Sequence, residues 1–306
     1  MYELVIIGGG PAGVAAGVYA ARKRLKTLII TESFGGQSID SMGIENWIGT
    51  VNISGPDLAK SLETHIRTYA DNTVEIKAGL RVSNVGKTSD GFSVTAGNES
   101  FSGKTILIAT GSSRRKLDVP GAREFENKGI TYCASCDGPL FSGADVAVIG
   151  GGNAGFESAA QLLAYAKSVT LLNRSDKYRA DEATVDKVLA HPNMKGIMNA
   201  IPKEVRGDKF VNSLIYSDST TGEEHSLPVT GIFVEIGLMP TTDFAKGLVE
   251  MNGVNQIIID PRTQSTRTVG VWAAGDCTDV LYHQNNIAAG DAVRALEDIY
   301  LHLRAR

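Results

Sequence analysis

Two cysteines with two residues between them, Cys133 and Cys136, are the side chains of this 306-residue chain best suited to redox chemistry. A C-x-x-C pair allows a small, reversible disulfide ring and perturbed thiol pKa values, which favours dithiol–disulfide exchange. Asp137 follows directly, and its carboxyl group could exchange a proton with a departing thiolate. The pair could instead be half of a zinc site or two inert structural cysteines. A zinc site needs two more ligands, for which only Cys277 and five scattered histidines remain, so we favour the redox interpretation.

A glycine-rich motif occurs twice, once near the N-terminus and once just after the cysteines. Leu4 to Gly13 reads LVIIGGGPAG, and Val146 to Gly155 reads VAVIGGGNAG. Each copy follows a short β-branched run and opens an alanine-rich helical stretch, the context in which G-x-G-x-x-G is typical of dinucleotide binding. The glycines let the backbone approach a pyrophosphate, and the helix N-terminus supplies N–H donors. A glycine-rich turn without a ligand is the alternative, and the duplication disfavours it.

The two units differ after their second apolar run. The first continues with Glu32, an acid suited to a ribose diol. In the second, Asn173 takes the place of the acid, and Arg174 follows it, with Arg179 nearby. Loss of the acid and gain of arginine favours a 2′-phosphate pocket for NADPH, although these arginines could be ordinary surface residues. A flavin in the first unit would complete a relay, because a flavin accepts a hydride and passes an electron pair to a disulfide.

The chain should fold as two α/β domains of Rossmann type, since about 150 residues make one domain. Residues 105–111 and 270–276 are apolar strands that return to the first unit. The sequence therefore predicts a discontinuous first domain, 1–112 plus 245–306, with a second domain inserted at 113–244.

Two further segments alternate apolar and polar residues, which predicts additional β layers. They span 74–103, with a hairpin signal at Asp90-Gly91, and about 196–235, with a turn at Thr221-Gly222. Each unit would then have three layers, two of β-structure and one of α-helix. Residues 287–303 have helical spacing and predict a closing helix.

Composition excludes several classes of protein. The net charge of −4 and the scattered lysines and arginines leave no footprint for nucleic acid. No apolar stretch approaches the roughly 18 residues of a membrane span. The first residues have neither a basic region nor an apolar region of the kind found in signal peptides, so we expect no secretory signal. With only three cysteines there is no extracellular disulfide framework, so we expect a cytoplasmic protein.

Over its full length the sequence resembles the low-molecular-weight thioredoxin reductases and the flavoprotein of the bacterial alkyl hydroperoxide reductase system. The resemblance implies FAD in the first domain, a nicotinamide cofactor in the second, a homodimer and a thioredoxin or thioredoxin-like partner. The motifs that carry it are Gly8 to Gly13, Glu32, Gly35-Gly-Gln37, Glu45-Asn46-Trp47, Ala109-Thr-Gly111, Cys133 to Asp137, Gly150 to Gly155, Ile236-Gly237, Ala274-Gly-Asp276 and Gln284.

The resemblance also assigns roles to single residues. It implies that Cys136 faces the flavin, that Cys133 attacks the partner disulfide and that Asp137 is the acid–base residue, with a large domain rotation between the two half-reactions. It implies FAD contacts at Gly8, Gly10, Pro11, Ala12, Gly13, Glu32, Gly36, Gln37, Asn46, Ala109, Thr110, Gly111, Gly275, Asp276, His283, Gln284 and Asn285. It implies NADPH contacts at Gly150, Gly152, Asn153, Ala154, Gly155, Arg174 and Arg179.

Departures from the family pattern leave alternatives open. Thioredoxin reductases usually carry His-Arg-Arg where this chain has Asn173-Arg174-Ser175, and arginine where it has His283. The first difference argues against a strict preference for NADPH. The second, together with the helix sequence Asn153-Ala-Gly-Phe-Glu-Ser158, favours the peroxide-system relatives, with NADH as donor and a peroxiredoxin-linked carrier as partner. Those relatives usually carry a thioredoxin-like N-terminal extension, whereas this sequence begins on its first strand. A ferredoxin–nicotinamide reductase-like enzyme that does not use the dithiol and a non-catalytic nucleotide-binding module are the remaining alternatives.

Overall fold

The computed structural model of the chain describes residues 1–41, 43–70 and 73–305. They form two compact units. Unit 1 comprises Met1–Ser113 and Met239–Arg306, and unit 2 comprises Arg114–Leu238. The chain returns to unit 1 at Met239, earlier than the predicted 245, because a short strand there pairs with the strand by which the chain leaves that unit.

The elements follow one another in three segments. The first contains β1 (Tyr2–Ile7), α1 (Pro11–Arg22), β2 (Thr27–Thr31), α2 (Gly55–Tyr69), β3 (Val74–Ala78), β4 (Val82–Thr88), β5 (Gly91–Ala96), β6 (Glu99–Ile108) and β7 (Ser112–Arg114). The second contains β8 (Ile130–Thr131), α3 (Ala134–Asp137), β9 (Asp145–Ile149), α4 (Asn153–Leu162), β10 (Ser168–Leu172), α5 (Glu182–Leu189), β11 (Met194–Ile197), β12 (Ala200–Gly207), β13 (Val211–Asp218), β14 (Glu224–Pro228) and β15 (Gly231–Val234). The third contains β16 (Leu238–Pro240), β17 (Val271–Ala273) and α6 (Asn285–Ala305).

Unit 1 is built on a sheet of order β3-β2-β1-β6-β5-β4, with β17 also pairing with β6. Strands β1, β2, β3, β6 and β17 pair in parallel, and β4 and β5 add an antiparallel hairpin. Leu4 and Ile6 pack with residues of the helices, whereas Val5 and Ile7 pack with residues of β4 and β5. Because both faces of β1 are buried from Leu4 to Ile7, this part of its sequence is a continuous apolar run.

Unit 2 repeats this plan. Its parallel sheet has the order β11-β10-β9-β15-β8, and β12, β13 and β14 form a separate antiparallel sheet. Val146 and Val148 of β9 pack with residues of α4, whereas Ala147 and Ile149 pack with residues of β12 and β13. Each unit thus has a helical layer, a parallel sheet and an antiparallel layer, which confirms the predicted α/β fold class.

The additional β layers contain fewer strands than the sequence predicts. The hairpin at Asp90-Gly91 and the turn at Thr221-Gly222 are present. However, β3, β11 and β15 belong to the parallel sheets. The sequence of strand β3 alternates apolar and polar residues, but only Val74 is buried, because the strand lies at a sheet edge. An edge strand of a parallel sheet therefore has the same pattern as a strand of a one-sided layer.

The predicted closing helix is α6. Its buried residues Ala288, Ala292, Leu296 and Ile299 recur at three- and four-residue intervals and pack on the helical side of unit 1. In the described part of the chain, no helix is both long enough and apolar enough to cross a lipid bilayer.

Candidate redox and nucleotide-binding sites

The first glycine loop connects β1 to α1 in unit 1. A Cβ on Gly8 would lie 2.2 Å from the Ala109 carbonyl oxygen, and a Cβ on Gly13 would lie 1.9 Å from the Gly8 carbonyl oxygen. The side of Gly10 that would carry a Cβ is open, since the nearest atom, the Gly36 Cα, would lie 3.8 Å away. No side chain among the described residues caps the N-terminus of α1. The loop thus leaves room and N–H donors for a phosphate group.

A cavity of about 260 Å³ opens above this loop. It brings together most of the predicted FAD residues, which are Gly8, Gly10, Pro11, Ala12, Glu32, Gly36, Gln37, Ala109, Thr110, Gly111, Gly275, Asp276 and Asn285. Gly13, Asn46, His283 and Gln284 are not part of its lining. Gly13 instead packs against the Gly8 carbonyl, inside the loop.

Polar side chains on one side of the cavity form a hydrogen-bond network. Gln37 Nε2 donates to Ser112 Oγ at 3.1 Å and to Asp276 Oδ2 at 3.4 Å. His283 Nδ1 lies 3.4 Å from Asp276 Oδ1, but it is buried and makes no hydrogen bond within the described structure. Donors and acceptors of this kind fit the hydroxyl, phosphate and ring amide groups of an adenine dinucleotide such as FAD.

Asn46 and Gln284 contact each other. Asn46 Nδ2 donates to Gln284 Oε1 at 3.2 Å, and the Asn46 carbonyl accepts from Asn286 Nδ2 at 2.7 Å. These bonds tie Gln284 and the first turn of α6 to the loop that precedes α2. They bring together two motifs that lie more than two hundred residues apart in sequence.

The sequence motifs do not reveal several residues of the cavity. Arg81 lines it, and its Nη1 lies 3.7 Å from Glu32 Oε2 at the position expected for an adenine ribose. Thr241 also lines it, and its carbonyl accepts from Thr110 Oγ1 at 2.7 Å. Both belong to connections between strands, where no local pattern marks a ligand contact.

The second glycine loop, between β9 and α4 in unit 2, has the same construction. A Cβ on Gly150 would lie 2.2 Å from the Glu235 carbonyl oxygen, and a Cβ on Gly155 would lie 1.9 Å from the Gly150 carbonyl oxygen. A Cβ on Gly152 would meet no atom within 4 Å, and α4 has no side-chain cap among the described residues. Asn153 Oδ1 accepts from the Asp181 N–H at 2.9 Å and so fixes the start of α5. The open glycine and the uncapped helix fit a second dinucleotide.

The structural equivalence of the two units corrects the alignment of their second strands. A Cβ on the second glycine of each motif would lie 2.5 Å from Thr31 Oγ1 in unit 1 and 2.3 Å from Asn173 Oδ1 in unit 2. Asn173 therefore corresponds to Thr31, and Arg174 corresponds to Glu32. The prediction that Asn173 stands in place of the acid is wrong by one residue, because β10 ends at Leu172, before the position at which β2 ends.

Asn173 has a structural role. It is 5% exposed, and its Nδ2 donates to the carbonyls of Ser175 and Lys177, both at 2.9 Å. Arg174 and Arg179 are exposed. A cation thus occupies the position at which the first unit has an acid.

Cys133 and Cys136 are joined by a disulfide bond. Cys133 is the N-cap residue of α3, and its Sγ accepts a hydrogen bond from the Cys136 N–H at 3.2 Å. Both cysteines are partly exposed, as a thiol that exchanges with another protein must be. In the described ranges, no group of three or more His, Cys, Asp and Glu side chains is arranged to hold a metal ion.

Asp137 has the environment of a proton donor. Its Oδ2 accepts a hydrogen bond from Thr131 Oγ1. Burial raises the pKa of Asp137, while the Thr131 hydrogen bond and the positive charge of Arg114 act in the opposite direction. The carboxyl group therefore keeps its proton to a higher pH than an exposed aspartate does.

Cys277 lies apart from this chemistry. It is fully buried, and its Sγ contacts the Ala274 and Ile108 carbonyls at 3.4 and 3.6 Å. Burial raises the pKa of its thiol to about 11, so it remains an unreactive thiol at neutral pH.

Relatives in sequence match this chain over only part of their own length. The chain is 41% identical over 295 residues to a Bacillus subtilis protein named NADH dehydrogenase, and 41% identical over 306 residues to an alkyl hydroperoxide reductase subunit of Pseudomonas aeruginosa. The alignments cover 96% and 99% of this chain but 57% and 58% of those proteins. The chain therefore spans less than two thirds of these relatives.

Solved structures match over the whole chain. Thioredoxin reductase from Streptococcus pyogenes aligns with a TM-score of 0.90 at 33% identity, and thioredoxin reductase from Giardia duodenalis with a TM-score of 0.92 at 33% identity. Each comparison covers 100% of this chain and 99% of the other. The sequence also matches the family described as pyridine nucleotide-disulphide oxidoreductase over residues 2–292. The chain therefore belongs to the pyridine nucleotide-disulphide oxidoreductase family, among relatives that include thioredoxin reductases and alkyl hydroperoxide reductase subunits.

Proposed function

We propose that the chain is a flavoprotein disulfide reductase that passes electrons from NADPH through FAD and the Cys133–Cys136 pair to thioredoxin or a thioredoxin-like protein. The family implies FAD and a pyridine nucleotide as cofactors. The observation that carries the proposal is the disulfide, which lies in the same unit as the second glycine loop and next to the half-buried Asp137. A ferredoxin–nicotinamide reductase-like enzyme would need neither the disulfide nor the acid.

Each cofactor is assigned to one unit. Unit 1 would hold FAD between the glycine loop, Glu32 and the network around Gln37 and Asp276. Unit 2 would hold the nicotinamide nucleotide, with Arg174 and Arg179 near the 2′-phosphate. FAD, when bound, converts a two-electron hydride transfer into reduction of a disulfide.

The residues of the dithiol site can complete the exchange with a partner. After reduction, the Cys136 N–H stabilises a thiolate on Cys133, which attacks one sulfur of the partner disulfide and releases the other as a thiolate. Cys136 then attacks Cys133 in this mixed disulfide, so the Cys133–Cys136 bond forms again and the second partner thiolate leaves. Asp137 can give a proton to a departing thiolate.

The identity of the partner is the finer part of the proposal. Relatives named as alkyl hydroperoxide reductase subunits favour, as an alternative, an NADH-dependent enzyme that reduces a peroxiredoxin-linked carrier. Anaerobic addition of a thioredoxin, a glutaredoxin-like protein or a peroxiredoxin-linked carrier to the nicotinamide-reduced enzyme separates these partners by which one reoxidises the flavin. A homodimer and a cytoplasmic location remain predictions from the sequence.

The purified protein should contain about one FAD per chain, and Gly13→Ala should lose it. The added methyl group would lie 1.9 Å from the Gly8 carbonyl oxygen, so the loop cannot keep its shape. Flavin absorbance after denaturation measures the content. Gly290→Ala is the matched control, because a Cβ there meets no atom within 4 Å, and its FAD content should be unchanged. A colourless parent protein that cannot be reconstituted with FAD would contradict the assignment.

Asp137→Asn should lower turnover with a disulfide partner by about a hundredfold, the lower range for loss of a general acid. In the parent enzyme, this turnover should fall as the pH rises through the raised pKa of Asp137, because the proton donor is lost above it. The variant should lack that decline. Profiles of turnover against pH for the parent, for Asp137→Asn and for the exposed control Asp208→Asn test this. Identical profiles in all three proteins would remove Asp137 from the mechanism.

A further inference from the structure

One buried carboxylate in unit 2 has no part in the dithiol chemistry. Glu235 directly follows β15, and its side chain is only 9% exposed. Its Oε1 accepts a hydrogen bond from Ser158 Oγ at 2.7 Å, and its Oε2 lies 3.4 Å from Arg114 Nη1. Burial raises its pKa, whereas Arg114 and Ser158 lower it. Buried acids are uncommon and costly, so a carboxylate held in place in this way calls for a function.

The internal duplication shows where Glu235 lies relative to the nucleotide loop. A Cβ on Gly150 would lie 2.2 Å from the Glu235 carbonyl oxygen. In unit 1, a Cβ on Gly8 would lie at the same distance from the Ala109 carbonyl oxygen. Ala109 follows β6, which pairs in parallel with β1, and Glu235 follows β15, which pairs in parallel with β9. Ala109 lines the cavity of unit 1. Glu235 therefore occupies, in unit 2, the place of a residue that borders the dinucleotide.

The order of strands indicates which half of the dinucleotide it borders. In the β11-β10-β9-β15-β8 sheet, β10 and β15 lie on opposite sides of β9. The ribose next to the adenine is read after the second strand of such a unit, which here is β10, followed by Arg174. Since a dinucleotide crosses the glycine loop from one side of the sheet to the other, its nicotinamide half lies on the side of β15. Glu235 is the first residue after that strand.

We propose that Glu235 is a specificity-determining contact in the nicotinamide half of the pocket and that its carboxylate favours the oxidised, cationic ring over the reduced, neutral ring. A fixed negative charge in a site of low dielectric attracts a nearby cation far more strongly than it does in water. Ser158 and Arg114 hold this charge in place before the nucleotide arrives. The inference rests on the proposed function, because it assumes that unit 2 binds a nicotinamide nucleotide.

Binding measurements on the oxidised enzyme test this contact without turnover. The probes are NADP⁺ and tetrahydro-NADPH, a neutral analogue that cannot transfer a hydride, with the corresponding NAD⁺ pair run in parallel. Calorimetry should show that Glu235→Gln weakens binding of the oxidised nucleotide about tenfold and changes binding of the neutral analogue less than about twofold. Glutamine keeps the shape of the side chain and an acceptor for Ser158.

Two further variants sharpen the test. Glu204→Gln removes the same charge from a partly exposed residue of β12 that pairs with Arg206, and it should change neither affinity. Glu235→Ala introduces the residue found at the equivalent position of unit 1, and should reproduce the selective loss if the glutamine variant fails to fold. Thermal unfolding of each protein reports on folding independently.

The outcomes are distinct. An equal loss for both probes would mean that Glu235 acts through packing alone, and no change for either would mean that it lies outside the pocket. Either result overturns the inference and leaves the proposed function standing. If the parent enzyme binds no nicotinamide nucleotide at all, the proposed function fails together with the inference.

Discussion

Cys133→Ser and Cys136→Ser should each abolish reduction of a disulfide partner while flavin reduction by the nicotinamide nucleotide stays intact. Both sulfurs are needed, since one forms the mixed disulfide and the other resolves it. The cofactors would lie on unit 1 and on the glycine loop of unit 2, which neither substitution alters. The expected loss in partner turnover is therefore complete, whereas anaerobic bleaching of the flavin should proceed at close to the parent rate.

Cys277→Ala is the matched control for these variants. It removes the third cysteine, which is fully buried and contacts the Ala274 and Ile108 carbonyls. Its activity should be that of the parent, although a lost buried sulfur lowers stability by about 1 kcal/mol. Full turnover in either serine variant would exclude the dithiol from the electron path.

Arg174→Ala should raise the Michaelis constant for NADPH roughly tenfold and leave that for NADH nearly unchanged. A charge-assisted hydrogen bond contributes about 1.5–3 kcal/mol, and each ~1.4 kcal/mol corresponds to a tenfold change. Because Arg174 is exposed, solvent and salt screen it, and the lower figure applies. The parent enzyme should accordingly prefer NADPH by about tenfold, as measured by kcat/KM for the two nucleotides.

The equivalence of Arg174 and Glu32 supplies the reciprocal experiment. Arg174→Glu places in unit 2 the acid that unit 1 has, and should shift preference towards NADH, because a carboxylate accepts a ribose diol and repels a 2′-phosphate. Arg206→Ala, an exposed arginine on β12, is the control for loss of charge. Comparable efficiency with NADPH and NADH in the parent would show that Arg174 and Arg179 are surface residues without a role in specificity.

The sequence predicts the structure best where the type of a residue and its burial lead to the same interpretation. Both glycine loops can be located because a Cβ on the first or last glycine of each motif would lie within 2.2 Å of a carbonyl oxygen, so no other residue fits at those positions. Strand β1 is buried on both faces from Leu4 to Ile7, and this part of its sequence is a continuous apolar run. The pattern of β3 predicts the wrong layer, because an edge strand of a parallel sheet has the same alternation as a strand of a one-sided sheet.

Residues whose role depends on distant parts of the chain cannot be identified in this way. From the sequence alone, Asn173 takes the place of the acid that follows the second strand of the first unit. Strand pairing determines where a strand ends, and β10 ends one residue earlier than the sequence predicts. Arg81 and Thr241 reach the cavity of unit 1 from connections without a motif. Glu235 is conspicuous only once its burial and its bonds to Ser158 and Arg114 are seen.

Anaerobic reductive titration is the most direct measurement of whether flavin and dithiol store electrons in the same chain. We predict that the parent protein takes up about two electron pairs per chain, one at the disulfide and one at the flavin, before excess reductant accumulates. Cys136→Ser, which has no disulfide to reduce, should take up about one. Uptake of a single pair by both proteins would contradict the proposed relay, because the Cys133–Cys136 bond would then lie outside the path of the electrons.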